Sequence, residues 1–347
     1  MILIDAVFIN DGGGKVLLDY LIHSLELKKT DCFYLLDERI IENHPVITND
    51  RQVVYVKATL RNRLNFYKEN YDRFGQVLCF GNIPPPIKLA RATVYTYFHQ
   101  PLFLNIPADH GFKLKLLYSL KMFYLNRKKL NTSYWLVQNV IVRDKLLSKY
   151  RLKPEKVLVL PFYPPFHEDT LIAYKRKSCS FIYVSNDTPH KNHLRLISSF
   201  CQFFDQTRQG SLTLTLPDSA VGLLEMIKQK QDLGYPIINL GFIPRAALYK
   251  AYKSHEYLIF PSLAESFGLG LVEAITCGCK VIGADLPYTY AVCEPSIVFD
   301  PFDGASMVAA MLKATHYDDV PFSNQKIKNE IDGLISLLNT SPQMQIN

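Results

Sequence analysis

A chain of 347 residues with 48% hydrophobic and 20% charged residues has the make-up of a globular protein of about two ordinary domains, neither disordered nor fibrous. No stretch as long as a bilayer is thick (about 18 residues) is purely apolar, so no membrane-spanning helix is expected. The net charge of +7 is unevenly spread: residues 1–165 carry 24 Lys+Arg against 14 Asp+Glu, and residues 166–347 carry 15 against 18. A basic first half points to an anionic partner, and on charge alone nucleic acid, a membrane surface and a phosphorylated lipid all qualify.

The N-terminal run, residues 2–9, has no basic start and carries an early acid, Asp5, so it reads as a first strand and not as a signal peptide. Asn10-Asp11-Gly12-Gly13-Gly14-Lys15 follows, a loop that can approach a ligand closely or simply turn from strand to helix. It has neither the dinucleotide spacing of G-x-G-x-x-G nor the Lys-Ser/Thr ending of a P-loop. A helix is expected from Lys15 to Leu27, then strands at 33–36, 53–56, 77–80 and 94–98. The last of these ends in Tyr97-Phe98-His99-Gln100-Pro101. Residues 112–130 interleave Leu, Phe and Tyr with six basic residues, a pattern that suits an anionic membrane surface as well as a buried helix with lysines reaching outward. Strands at 134–138 and 156–160 close the first half.

Three prolines in Pro161-Phe162-Tyr163-Pro164-Pro165 suit an extended connector, and the charge changes sign there. Strands are expected beyond it at 180–185, 212–216, 237–240, 257–261 and 280–284, with helices at 193–204, 219–230, 246–253 and 325–338 between and after them. Most of these strands lack polar alternation, as strands covered on both faces do. Strand–helix alternation over the whole length predicts an α/β protein with two Rossmann-like, doubly wound sheets. The expected divisions are 1–165, 166–325 and a C-terminal helix and tail at 326–347. The seven cysteines are odd in number and lack paired metal-type spacing, so they read as packing thiols in a reducing cytoplasm. No Asp-x-Asp triplet offers an oxygen cluster for a divalent ion.

The most telling stretch is 261–287, PSLAESFGLGLVEAITCGCKVIGADLP. A buried strand runs into Pro261-Ser262, a loop carries Glu265, and Ser266-Phe267-Gly268 leads into a helix that holds Glu273. Gly278 ends that helix, and the strand around Val281-Ile282 follows. One carboxylate thus lies at a strand's carboxyl end and a second on the adjoining helix, where open α/β sheets bind ligands. Paired carboxylates also serve glycoside hydrolases, the other chemistry open to this pair. A second segment, Val184–His193, contains Lys191-Asn192 between a strand and a helix, where loop amides and one cation can hold an anion.

The 261–287 stretch resembles the donor signature of the family 4 retaining glycosyltransferases, which have the GT-B fold. The resemblance implies two domains facing a cleft, a nucleotide-sugar bound mainly by the second, and a saccharide acceptor, frequently lipid-linked, entering from the first. It implies that Glu273 holds the nucleotide's ribose hydroxyls and Glu265 the donor sugar, a carboxylate being able to accept from both hydroxyls of a vicinal diol. The amides of Phe267, Gly268 and Leu269 would meet sugar or phosphate oxygens. Lys191, with Ser185 nearby, would neutralise the departing diphosphate. Gly13 and Gly14 would face the donor phosphates, and His99 the reacting sugar. Leu240-Gly241-Phe242-Ile243-Pro244 resembles the segment whose Gly241, Phe242 and Ile243 meet the base. The family often carries an arginine shortly before the lysine; no arginine stands there in this chain.

The function so implied is retaining, metal-independent sugar transfer in the making of a surface polysaccharide such as lipopolysaccharide or capsule. It needs no cofactor beyond the nucleotide-sugar substrate, and the setting is cytoplasmic, on the inner face of the membrane. No nucleic-acid recognition motif accompanies the charge, so nucleic acid is not an expected partner. A silent GT-B protein that binds a nucleotide-sugar or a partner enzyme, and a nucleotide-sugar epimerase, are the alternatives.

Overall fold

The computed structural model describes residues 1–104, 106, 112–166, 174–316 and 319–340. It divides into two compact units, Met1–Pro164 with Lys328–Asn347, and Pro165–Ile327.

In the first unit the chain runs β1 (Ile2–Ala6), α1 (Gly12–Leu27), β2 (Cys32–Asp37), β3 (Val53–Val56), α2 (Leu60–Glu69), β4 (Gln76–Cys79), β5 (Thr93–Phe98), α3 (Phe112–Lys128), β6 (Tyr134–Val137), α4 (Val140–Tyr150) and β7 (Val157–Val159). The seven strands form one parallel sheet in the order β3-β2-β1-β4-β5-β6-β7. Every residue of β1, β2 and β4 is buried, which is why these segments read as largely apolar runs. The strand order reverses between β1 and β4, and the carboxyl ends at such a reversal are where doubly wound sheets bind ligands.

In the second unit the chain runs β8 (Lys177–Tyr183), α5 (His193–Thr207), β9 (Ser211–Leu214), α6 (Val221–Asp232), β10 (Ile237–Asn239), α7 (Arg245–Ser254), β11 (His255–Phe260), α8 (Leu269–Thr276), β12 (Lys280–Ala284), α9 (Pro287–Val292), β13 (Cys293–Glu294), β14 (Ile297–Phe299), α10 (Gly304–His316) and β15 (Asn324–Gln325). Six of its strands form a parallel sheet, β10-β9-β8-β11-β12-β14, that reverses between β8 and β11. β13 and β15 make a separate antiparallel pair.

The twelve expected strands are all present. The short strands β13, β14 and β15 and the helices α2, α4, α9 and α10 add to them. Two helix starts differ from expectation by three residues or more. α1 begins at Gly12, so the three glycines form its first turn instead of a loop ahead of it. The last helix, expected over 325–338, begins only at Ile331, because Asn324–Gln325 pair with β13 first; we call it α11 (Ile331–Asn339). The polar tail from residue 341 lies outside the described residues.

α11 belongs to the first unit. Its Ile331, Leu334, Ile335 and Leu338 recur at helical spacing and are buried in the core that covers α1's face of the sheet. Burying each such side chain is worth about 1.5–3 kcal/mol. Asn329 donates to the Tyr20 hydroxyl at 3.0 Å and the Glu330 amide to the Pro161 carbonyl at 2.8 Å, fixing the entry to this helix.

The opposite face of the first sheet holds a buried charge. Asp5 of β1 accepts from Arg63 Nε and from the Tyr67 hydroxyl, both at 2.7 Å, and the Arg63 guanidinium also donates to the carbonyls of Pro84 and Ile83. Asp5 and Arg63 are almost wholly out of water. A buried carboxylate stripped of its cation is strongly destabilising. Arg63→Ala is therefore expected to lower stability by about 3–5 kcal/mol, read as a lower urea midpoint.

Candidate active site

At the reversal of the second sheet, loops leave the adjoining ends of β8 and β11, and hydrogen bonds tie them together. The Leu263 amide donates to the His190 carbonyl at 2.7 Å, and Asn192 Nδ2 donates to the carbonyls of Pro261 and Pro301 at 3.2 and 2.8 Å. The Tyr183 hydroxyl donates to the Lys191 carbonyl at 3.1 Å, and the Tyr288 hydroxyl to the Ser262 carbonyl at 2.6 Å. Asn192 sits in the left-handed region at φ 63°, which asparagine tolerates better than most residues, and this turn ends the loop at the head of α5.

The stitching sets Lys191 beside Glu265. Lys191 Nζ donates to Glu265 Oε1 at 2.5 Å, with both side chains largely out of water. Glu265 is thus one predicted site residue whose partner is another, 74 positions away. Ser185, from the same loop, has its Oγ 2.9 Å from His193 Nε2 and 3.2 Å from the Asn186 carbonyl.

Gly268 stands at φ 74°, a conformation that favours glycine, and it caps α8. The Leu271 amide donates to the Gly268 carbonyl at 2.9 Å, and the N–H groups of Leu269 and Gly270 ahead of it stand at the positive end of the helix. Phe267 is buried beneath this turn. One turn further on, Glu273 is 5% exposed. Its Oε1 accepts from Arg245 Nη1 at 2.5 Å. Arg245 opens α7, and its guanidinium lies 4.2 Å from the centre of the Phe166 ring. Burial pushes the Glu273 carboxyl above the ordinary glutamate range, while Arg245 pulls it back toward the ionised form.

The sequence reading did not find Arg245. It follows directly on the base-contacting segment Gly241–Pro244, but nothing local says that it meets a carboxylate 28 positions later. Of that segment, Gly241 is at φ 69° and Phe242 is 88% exposed.

A second group gathers in the first unit, at the carboxyl end of its sheet. His99 leaves β5 with its amide donating to Asn82 Oδ1 at 2.7 Å and its Nε2 2.9 Å from the Phe80 carbonyl. That carbonyl can only accept, so Nε2 carries the proton and Nδ1 is the acceptor, an assignment inferred from the bonding pattern. A Cβ on Gly14 would come within 3.0 Å of His99 Cε1, so α1 approaches the imidazole this closely only because Gly14 has no side chain. Gly12 and Gly13 have open space about them. Among the described residues, no group of three or more His, Cys, Asp or Glu side chains is placed to hold a metal ion.

With this geometry in place, relatives can be weighed. Residues 172–320 match the family of glycosyl transferases group 1. The O-antigen chain mannosyltransferase RfbU of Salmonella typhimurium is 24% identical over 221 residues, 61% of this chain and 60% of that protein, so the chain spans less than two thirds of this relative's length. Among solved structures, the sucrose-phosphate synthase of Thermosynechococcus elongatus superposes with a TM-score of 0.67 at 14% identity, covering 90% of this chain and 88% of that one. HepE of Anabaena, solved with UDP and glucose, superposes with a TM-score of 0.64 at 14% identity, covering 97% and 94%. The two doubly wound sheets are those of the GT-B fold. The match to the glycosyl transferases group 1 family falls on the second unit, which holds Lys191, Glu265 and Glu273.

Burial holds one histidine in each unit neutral: it pushes His99 in the first and His193 in the second down to about 4. A histidine lowered in the fold binds protons more readily when unfolded, so the native state loses stability as pH falls from about 6.5 toward 4. A thermal-melt series from pH 7 to 4.5 is expected to show that decline, and His193→Gln is expected to flatten part of it.

Proposed function

We propose that this chain is a retaining, metal-independent glycosyltransferase that moves a sugar from a nucleotide-sugar to a saccharide acceptor in surface polysaccharide biosynthesis. The observation that carries the reading is the pairing of Lys191 with Glu265, eight positions before Glu273, at the reversal of a parallel sheet. A hydrolase needs two carboxylates flanking one bond, one of them a free acid. Here each carboxylate is held by its own cation, which suits binding more than proton transfer.

In this reading the second unit holds the donor. Glu273 accepts from the ribose hydroxyls, Glu265 from the hydroxyls of the sugar, and the first-turn amides of Gly268 and Leu269 meet sugar or phosphate oxygens. Lys191 takes the diphosphate. As the bond from the anomeric carbon to the phosphate oxygen breaks, its electron pair stays on that oxygen, and the lysine charge stabilises it. The acceptor hydroxyl forms the new bond on the same face and gives its proton to the departing oxygen. Neutral His99, with Nδ1 as acceptor, orients a hydroxyl on the first unit's side. Gly241–Ile243 meet the base. The match to an O-antigen mannosyltransferase and the likeness to a protein solved with UDP and glucose support this class of substrate.

Glu273→Ala is expected to weaken nucleotide binding at least tenfold, and Lys191→Ala to reduce kcat about a hundredfold with little change in binding. Thermal-shift titrations with UDP, GDP and dTDP, followed by steady-state kinetics in EDTA, check both. No shift with any nucleotide favours the silent scaffold; sugar inversion without acceptor favours an epimerase; loss of activity in EDTA restored by manganese removes metal independence.

The acceptor is lipid-linked, and the first unit meets it at the cytoplasmic face of an anionic membrane. α3 supports this. Its Leu116, Leu117, Leu120 and Phe123 are 46–63% exposed and follow one another at helical spacing, while Leu125 alone among its leucines and phenylalanines with described side chains is buried. Lys113, Lys121, Arg127 and Lys128 lie along the same helix. Among the described residues no helix is long and apolar enough to cross a membrane. Leu120→Glu with Phe123→Glu is expected to abolish sedimentation with phosphatidylglycerol vesicles at low salt. Absence of vesicle binding by the unmodified protein removes this part of the reading.

A further inference from the structure

The second cation of the site belongs to no motif in the sequence, and the structure gives it a place. Glu273 is the more deeply buried of the two carboxylates, and it sits on a helix packed between α7 and β12. The groups that face it are few. From α7 come Arg245 and Tyr252, from its own helix end Cys277, and from β12 Cys279. The buried Tyr252 hydroxyl faces the Glu273 carboxylate and, after Arg245, also favours its charged form. On the other elements packed against α8, the Tyr288 hydroxyl of α9 is committed to the Ser262 carbonyl and the Tyr257 hydroxyl of β11 to the Ala314 carbonyl, away from Glu273. Lys253 of α7 and Arg176 act on Cys277 and Cys279, and among the described residues Arg245 is the cation that contacts Glu273 itself. It contacts one carboxylate oxygen, Oε1, and its own orientation is set from the other side by the face of the Phe166 ring.

We infer that Arg245 is a positioning residue for the donor: it keeps the Glu273 carboxylate charged and turned so that Oε2 and the remaining lone pair of Oε1 accept the two hydroxyls of a ribose. The inference rests on the nucleotide-sugar reading above. It assigns a role to a residue outside both glutamates and Lys191, and it accounts for how a carboxylate can serve as a two-bond acceptor in a place where water does not reach it. A carboxyl group that takes up a proton becomes a donor at one oxygen and loses half of its match to a diol. Burial alone drives the group toward that protonated form. The guanidinium, always charged, opposes it at every pH the protein meets. Arg245 touches no reacting atom in this arrangement; it acts through Glu273.

A role through ionisation leaves a mark that a role in folding does not. In the unmodified protein, nucleoside diphosphate binding is expected to be flat with pH from 6.5 to 9. In Arg245→Met, a side chain of similar reach without charge, affinity is expected to fall about tenfold or more at pH 6.5 and to recover as pH rises and Glu273 loses its proton. Arg245→Lys restores the charge and is expected to return the flat profile. Arg245→Met with Glu273→Gln removes the titrating group and is expected to bind weakly at every pH. Binding is measured by calorimetry with the diphosphate that gives the largest thermal shift, on variants whose melting curves remain cooperative. A uniform, pH-independent loss in Arg245→Met, or none, overturns the role of Arg245 and leaves the functional reading standing. No binding of any nucleoside diphosphate by the unmodified protein overturns both. Should Arg245→Met not fold, Arg245→Gln, which keeps a donor and drops the charge, gives the same test.

Discussion

Two carboxylates are held away from water at one end of the second sheet, and much of the local architecture answers that constraint. An ion moved from water to a low-dielectric interior loses several kcal/mol of solvation even after relaxation, and only a well-placed cation offsets it. Glu265 is matched by Lys191 and Glu273 by Arg245. Each cation arrives on a different element, one on the loop before α5 and one at the head of α7, so neither match can form until the sheet is assembled. The carbonyl and amide bonds that tie the β8 and β11 loops are what hold Lys191 within reach. Such pairing keeps the carboxylates available as acceptors, where solitary buried acids would take up protons.

The same topology does different work in the two units. In each, the strand order reverses at the first strand, and the chain emerges there into a loop and a helix start. In the second unit that opening is furnished with charge. In the first it is furnished with close approach: Gly14 lets α1 descend onto His99, and the imidazole is fixed through Phe80 and Asn82. Charge suits the recognition of a diphosphate, and a neutral, rigidly oriented imidazole suits a hydroxyl.

The strands were legible because a parallel sheet buries both faces, which turns each central strand into an apolar run that no helix of that length shares. Glu265 and Glu273 were legible because their frame, from Pro261 to Ile282, is local. Helices α2, α4, α9 and α10 were not. α2 carries two arginines and two asparagines, and its Arg63 is buried by pairing with Asp5, a contact 58 positions away that reverses the usual reading of a charged residue as exposed. Arg245 escaped for the same reason: its meaning lies in a partner on another helix. The early start of α1 escaped because three glycines read as loop, whereas here they form its first turn and the last of them, Gly14, lies against His99.

Helix α3 presents an opposite problem, apolar groups left in water. Single exposed leucines are ordinary, but four large side chains on one stripe leave a hydrophobic face uncovered. Transferring such side chains out of water is worth about 1.5–3 kcal/mol each when complete. Lysines and arginines near an anionic bilayer add about 1 kcal/mol apiece. Either contribution alone gives a weak, reversible attachment, and the two together act on the same helix and add. In the proposed reading the positive charge of the first half serves to hold that apolar stripe against a lipid surface, whereas in the second half, slightly acidic as a whole, Lys191 and Arg245 each pair with a carboxylate.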